Sequence, residues 1–364
     1  MLLSSGGRPQ VDGMEYQMAQ PAVMKWTLDL EQQFSPSTMV EASYSATRGT
    51  HLERGSLLLN STPRVEVNGA PFLALDLPLP NPDWNCMRWR LFDGTSSYHA
   101  LRLLVSKRFS HGVQFQTAYT YSKATDDGSS LGGDGDWTND RVGYRTDKWH
   151  GLSAYDVRQS LYSSAVYELP GRNSSTLVGR LLSGWSLSTL LRMNSGSPQT
   201  LTASRPTSRP SLGISNTVQF VEGPSLDLKP GGDPNPIRPG DPRQYFDVSQ
   251  FLWPASFFTN AALARVPGVG NLIALGNLGR AHLTAPGVVS WDVALMKATP
   301  FPQLGEDGAL QFRAEFFNLL NRANFGLPDG NVFDNHGRVN STAGRISETR
   351  GSSRQIQLAV KLVF

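Results

Sequence analysis

The chain has 364 residues, 39% of them hydrophobic and 17% charged, with a formal net charge of +3. That length fits two ordinary domains or one large barrel, and with a mean hydropathy of -0.30 and no run approaching the ~18 apolar residues of a membrane helix, a helical membrane protein is excluded. Lys and Arg are dispersed without a basic run, so nucleic acid has no support as a partner.

Residues 1–21, MLLSSGGRPQVDGMEYQMAQP, read as a loop-like segment. They lack a basic stretch followed by an apolar core, so they are not a secretory signal, and a protein working outside the cytoplasm would need one upstream. From residue 22 the sequence falls into period-two segments of about 9 to 13 residues, the length of a tilted membrane strand. They lie at 22–34, 38–48, 97–109, 113–124, 159–169, 184–194, 289–301, 309–320 and 354–364. A further strand is expected in 57–76 or 215–228, outside the main meander. The fold expected for 22–364 is an all-β, antiparallel up-and-down transmembrane barrel, about 10 strands of a larger one.

Connections at 34–38, 109–113, 169–184 and 301–309 are short or fairly short. Those near 49–96, 125–158, 195–288 and 321–353 are long and rich in Gly, Pro, Asp and Asn. Every short turn falls on the side of the C-terminus. Outer-membrane barrels sort their loops this way, with short periplasmic turns and long extracellular loops, so the C-terminus is expected in the periplasm. The long loop 195–288, with SRPTSRPS and KPGGDPNPIRPGDPRQYF, is too rich in Pro and Gly for regular structure throughout.

Each segment has two faces. One register carries Trp26, Leu28 and Leu30, then Leu101, Leu103 and Val105, and further along Trp185, Leu187 and Leu191, then Trp291, Val293 and Leu295. The opposite register carries Arg102, Arg192, Asp292, Arg313 and Glu315, which would line a barrel lumen as wall ion pairs, plug contacts or attractors of solute. A soluble sandwich has the same alternation. The aromatic residues favour the barrel: Phe34, Phe109, Phe301 and Phe364 sit beside the short turns, while Tyr119, Tyr121 and Trp291 sit nearer the long loops, like the girdles at membrane interfaces.

Five phrases, SYHALRLLVSKRFSHGVQFQTAYTYSKATDDGSS, AYDVRQSLYSSAVYELPG, LLSGWSLSTLLRMNSGSP, GNLGRAHLTAPGVVSWDVALMKATPF and LQFRAEFFNLLNRANFGLPDG, followed by a terminal Phe364, together resemble the C-terminal barrel of Oar-like TonB-dependent outer-membrane transporters. The resemblance covers most of 40–364. It implies a barrel of about 22 strands in outer-membrane lipid, an N-terminal plug, a signal peptide and coupling to the TonB complex. It also makes Phe364 similar to the signal read by the barrel-assembly machinery. The chain departs from the pattern in showing no plug, no signal and fewer than half the strands, so it is expected to be the C-terminal portion of a transporter for a substrate the sequence does not reveal. The alternative is a self-contained small barrel acting as a porin, a surface-binding protein or a hydrolase.

Other chemistry finds less support. Asp126, Asp127, Asp134, Asp136 and Asp140 in KATDDGSSLGGDGDWTND supply hard oxygen ligands for calcium, but not at the spacing of an EF-hand, and read better as a solvated loop. His51, His99, His111, His150, His282 and His336 are scattered without paired spacing. No G-x-S-x-G elbow nominates a serine nucleophile, and Cys86 stands alone in a loop-like stretch. No enzyme activity, cofactor or metal is expected.

Overall fold

The computed structural model describes residues 12–59, 64–67, 70–74, 81, 83–84, 87–129, 150–170, 179, 182–204, 226–253, 272–274, 276–301, 308–334 and 337–364. Its centre is a wall of nine sequential antiparallel strands: β1 (Ala22–Ser35), β2 (Thr38–Leu59), β3 (Met87–Ser110), β4 (Val113–Asp126), β5 (Gln159–Glu168), β6 (Trp185–Asn194), β7 (Val288–Pro300), β8 (Ala309–Phe317) and β9 (Gln355–Val363). Each corresponds to a segment of period-two alternation. Neighbours in sequence pair in space, which is the meander of an up-and-down barrel.

The register carries one apolar face across the whole wall. Leu28 pairs with Tyr44 and Tyr44 with Leu101, Leu101 with Tyr121, and Tyr119 with Leu161. Leu187 pairs with Leu295, Val293 with Phe316, and Phe312 with Val360. Paired residues point to the same side of a sheet, so these side chains form a single belt. The belt has no protein cover: Leu28 is 62% exposed, Leu101 47% and Val360 69%. A sandwich would bury this face against a second sheet. Each such side chain left in water forfeits about 1.5–3 kcal/mol, which lipid recovers.

Among the described residues the sheet does not close. β1 pairs along one side only, with β2, and β9 only with β8, so both edges present unpaired backbone groups. The turn between β3 and β4 is a tight one in which His111 and Gly112 both have positive φ, 52° and 76°, the geometry of a type I′ hairpin. A side chain at Gly112 would also strike the Glu168 carbonyl.

Several boundaries differ from the sequence expectation. β2 continues past 48 and β3 begins before 97, pairing as far as Leu59 and Met87, so the two ends of the loop expected at 49–96 form a hairpin rising beyond the length a membrane requires. Register shifts between Gly49 and Leu57 break the alternation there, since each bulge moves later side chains to the other face. β8 stops at Phe317 because Asn318 turns the backbone at φ 49°, its amide oxygen accepting from Arg322 N at 3.0 Å. Of the ranges expected to hold an extra strand, 60–63, 68–69, 75–76 and 215–225 lie outside the described residues; the rest, past the end of β2, forms pieces off the meander, where Arg64–Val67 and Ala70–Ala74 join Leu272–Ala274 in a three-stranded sheet and Asp227–Leu228 pairs with Phe251–Leu252. Asp12–Met14 pairs in parallel with Arg88 to Arg90, so the first segment is not wholly loop.

The long loops hold the buried core. Leu226, Phe246, Leu283 and Val332 are fully buried, packed with Leu201, Phe251, Phe333 and Ile346. The described part of 195–288 is therefore packed against 325–334 and 337–346, although before β7 its regular structure is confined to pieces of two or three residues, as its Pro and Gly content implies. Gly196 passes so close to the Ala285 carbonyl that any side chain would overlap it, and this approach carries the chain from β6 into that core.

Candidate functional site

The five predicted lumen residues share the polar face of the wall. Arg102 lies 3.5 Å from Glu41 and Arg313 3.5 Å from Glu315. Arg192 stacks over the Tyr162 ring at 5.8 Å. Asp292 accepts from Asn318 N at 2.8 Å and from Ser290 Oγ at 3.3 Å. Ser43 donates to Asp29 on the same face. Half-exposed pairs of this kind contribute about 0–1 kcal/mol each, so they set the charge pattern of the wall more than its stability. Phe364 follows β9 at the end of the apolar face and is 87% exposed.

At the long-loop end of β4, Asp126 is the last strand residue and Asp127 the first beyond it, and the two bind different partners. Asp126 is buried and bound by Arg280 Nη2, which also donates to Ser129 Oγ at 2.8 Å and to the Leu152 carbonyl at 3.2 Å. Asp127 accepts from Thr95 N at 2.6 Å, Thr95 Oγ1 at 2.7 Å and His150 Nδ1 at 2.7 Å. The two carboxylates thus serve separate partners, Arg280 and His150, which both border one cleft. The other residues of the calcium candidate, Asp134, Asp136 and Asp140, lie outside the described residues, as do Cys86 and His336. Among the described residues, no group of three His, Cys, Asp or Glu side chains is placed to hold a metal ion.

Beside this latch is a cleft of about 570 Å³. Ser97, His99, Lys123 and Thr125 supply its sheet side, and the loops add His150, Arg280 and His282. His99 pairs directly with Lys123 across β3 and β4, and its Nδ1 is hydrogen-bonded to Tyr44 Oη at 2.8 Å. Protein crowded around the His282 ring, exposed though its edge is, lowers its pKa by desolvation. The histidines that looked scattered therefore meet: three of them line one site, brought together by strand pairing and by the return of the 276–285 loop. Arg280 had no signal beyond its place in the phrase GNLGRAHL, because nothing in its spacing points to Asp126.

The loop core has its own polar frame. Tyr245 Oη donates to the Thr284 carbonyl at 3.0 Å, and burial raises its pKa. Asp247 caps the turn Val248–Gln250 by accepting from Ser249 N at 3.0 Å. That hydrogen bonding, with Gln250 and Arg238 adding to it, lowers its pKa.

Residues 3–357 match the family described as outer membrane beta barrel domain. The chain belongs to this outer membrane barrel family. Membership agrees with the uncovered apolar belt and places the protein at the outer membrane. The crystal structure of the outer membrane transporter YddB from Escherichia coli aligns with a TM-score of 0.46 and 11% identity, over 98% of this barrel chain and 34% of that one. The chain thus spans about a third of the length of that transporter. No curated protein matches it.

Proposed function

We propose that the chain forms the C-terminal wall of a TonB-dependent outer-membrane transporter. Two unpaired sheet edges carry this reading. In hydrocarbon an open edge leaves backbone groups unsatisfied at several kcal/mol each, so β1 and β9 need strands beyond these nine to complete a cylinder. The five phrases that resemble Oar-like transporters support this reading of the larger barrel. In this reading the long loops are extracellular and the C-terminus periplasmic. Arg102, Arg192, Asp292, Arg313 and Glu315 face the lumen and a plug, the TonB complex acts on that plug, and the wall itself carries out no catalysis.

An immunoblot of native outer membranes, with an antibody against residues 226–253, tests this. A band well above 39.8 kDa supports the transporter. A band at 39.8 kDa that resists unfolding until boiled replaces it with a self-contained small barrel.

A further inference from the structure

The cleft beside β3 and β4 lies on an unexpected side of the wall. Ser97, His99, Lys123 and Thr125 have the same parity as Leu101 and Tyr121, so their side chains leave the sheet on the apolar face rather than toward the charges of the polar face. Lys123 stands two residues beyond Tyr121, roughly 7 Å along the strand toward the long loops. The site therefore sits where the aromatic belt ends, at the depth of lipid headgroups.

Its chemistry is cationic and hydroxylic. Among the described residues no carboxylate lines the cleft. The Lys123 ammonium has no hydrogen bond or ion pair among the described residues, and His99, with Nδ1 held by Tyr44, retains Nε2 for a second partner. Arg280, 3% exposed, lines the same cleft, and its Nη1 has no hydrogen-bond partner while Nη2 is committed to Asp126. A buried guanidinium with an unused donor group is costly unless an acceptor completes it. An oxyanion flanked by Lys, His and hydroxyl donors is such an acceptor.

We propose that this cleft holds the phosphate of an outer-leaflet lipid headgroup, with the acyl chains of that lipid lying on the apolar belt below it. The bound lipid would cover Leu101, Leu103 and Tyr121 and tie the 276–285 loop to the wall. The choice of leaflet rests on the orientation given under Proposed function.

The test uses the full-length native protein in phosphate-free digalactosyldiacylglycerol bilayers doped with diphosphoryl lipid A or with its dephosphorylated form, with retained lipid counted by mass spectrometry after mild detergent extraction. The wild-type protein and Lys123→Arg are expected to retain the phosphorylated form. Lys123→Glu is expected to lose about tenfold or more of that retention, the value of one charged hydrogen bond, while keeping the heat-modifiable mobility of a folded barrel. Equal retention of both lipids by the wild type overturns the proposal without any variant, as does undiminished retention by Lys123→Glu. Displacement of the lipid by inorganic phosphate identifies a soluble anion instead and also overturns it. Protease added to intact cells separates the orientation: failure to cut 226–253 until the outer membrane is opened overturns the extracellular placement, whatever the lipids show.

Discussion

Arg280 on the loop entering β7 donates from Nη2 to the Asp126 carboxylate at the end of β4, across 154 positions of sequence, with both side chains buried. This contact fastens the folded 276–285 segment to the wall. Breaking one side of a buried pair leaves an uncompensated charge and costs about 3–5 kcal/mol, whereas replacing both partners costs far less. Arg280→Met is therefore expected to lower amide protection at Gly151 to Ser153 and at Leu278, and the double variant with Asp126→Asn to restore much of it. A single variant with unchanged exchange would show that the pair contributes nothing.

Phe246 is fully buried in the loop core and meets Phe251 edge-on at 6.2 Å between ring centroids. Phe246→Ala is expected to cost about 3–5 kcal/mol, confined to the loops. Limited proteolysis should then cut within 226–253 while the strands keep their heat-modifiable mobility. Loss of both together would mean that wall and loops fold as one cooperative unit.

The nine wall strands were legible because each keeps strict alternation over its membrane length, as in Leu101, Leu103 and Val105 or Ile356, Leu358 and Val360. The upper halves of β2 and β3 were not, because bulges after Gly49 scramble the period. The loop core was hidden for a different reason: Leu226, Phe246, Leu283 and Val332 come from separate segments, each short and interrupted by Pro or Gly, and only tertiary packing brings them together. The polar-face residues could be assigned by parity alone. The cleft could not, since His99, His150 and His282 converge through the pairing of β3 with β4 and the path of two loops.

Asp247 gives the loop core a pH dependence of definite sign. Its pKa is lowered, first by hydrogen bonds from Ser249 and then by Gln250 and Arg238. A depressed folded-state pKa stabilises above the unfolded value of about 3.9, and that stabilisation is lost as pH falls through the folded value. Pepsin susceptibility of 226–253 should rise as the medium is acidified below that range, and more weakly in Asp247→Asn. Identical acid profiles for the two proteins would remove Asp247 as the cause.

Neighbouring positions on β3 separate the two faces. Leu103 is 44% exposed on the apolar belt, and an Arg at the middle of the lipid face costs about 2–4 kcal/mol. Arg102 faces the other way beside Glu41, and its removal costs about 0–1 kcal/mol. Urea unfolding from bilayers should therefore be shifted strongly by Leu103→Arg and little by Arg102→Leu. The reverse order would mean that the faces are inverted.

Phe364 carries two expectations that one comparison distinguishes. As a girdle residue, 87% exposed at the end of β9, it resembles Phe34, 70% exposed at the end of β1. Either is worth about 1.5–3 kcal/mol when covered by lipid, so Phe364→Ala and Phe34→Ala should destabilise the folded protein alike. As an assembly signal, Phe364 acts before the strand is in the membrane, where stability of the finished wall is irrelevant. Phe364→Ala should then reduce the folded protein reaching the outer membrane in growing cells, while Phe34→Ala leaves delivery intact. Equal delivery of the two variants would reduce Phe364 to its girdle role, leaving recognition by the assembly machinery to other features of β9.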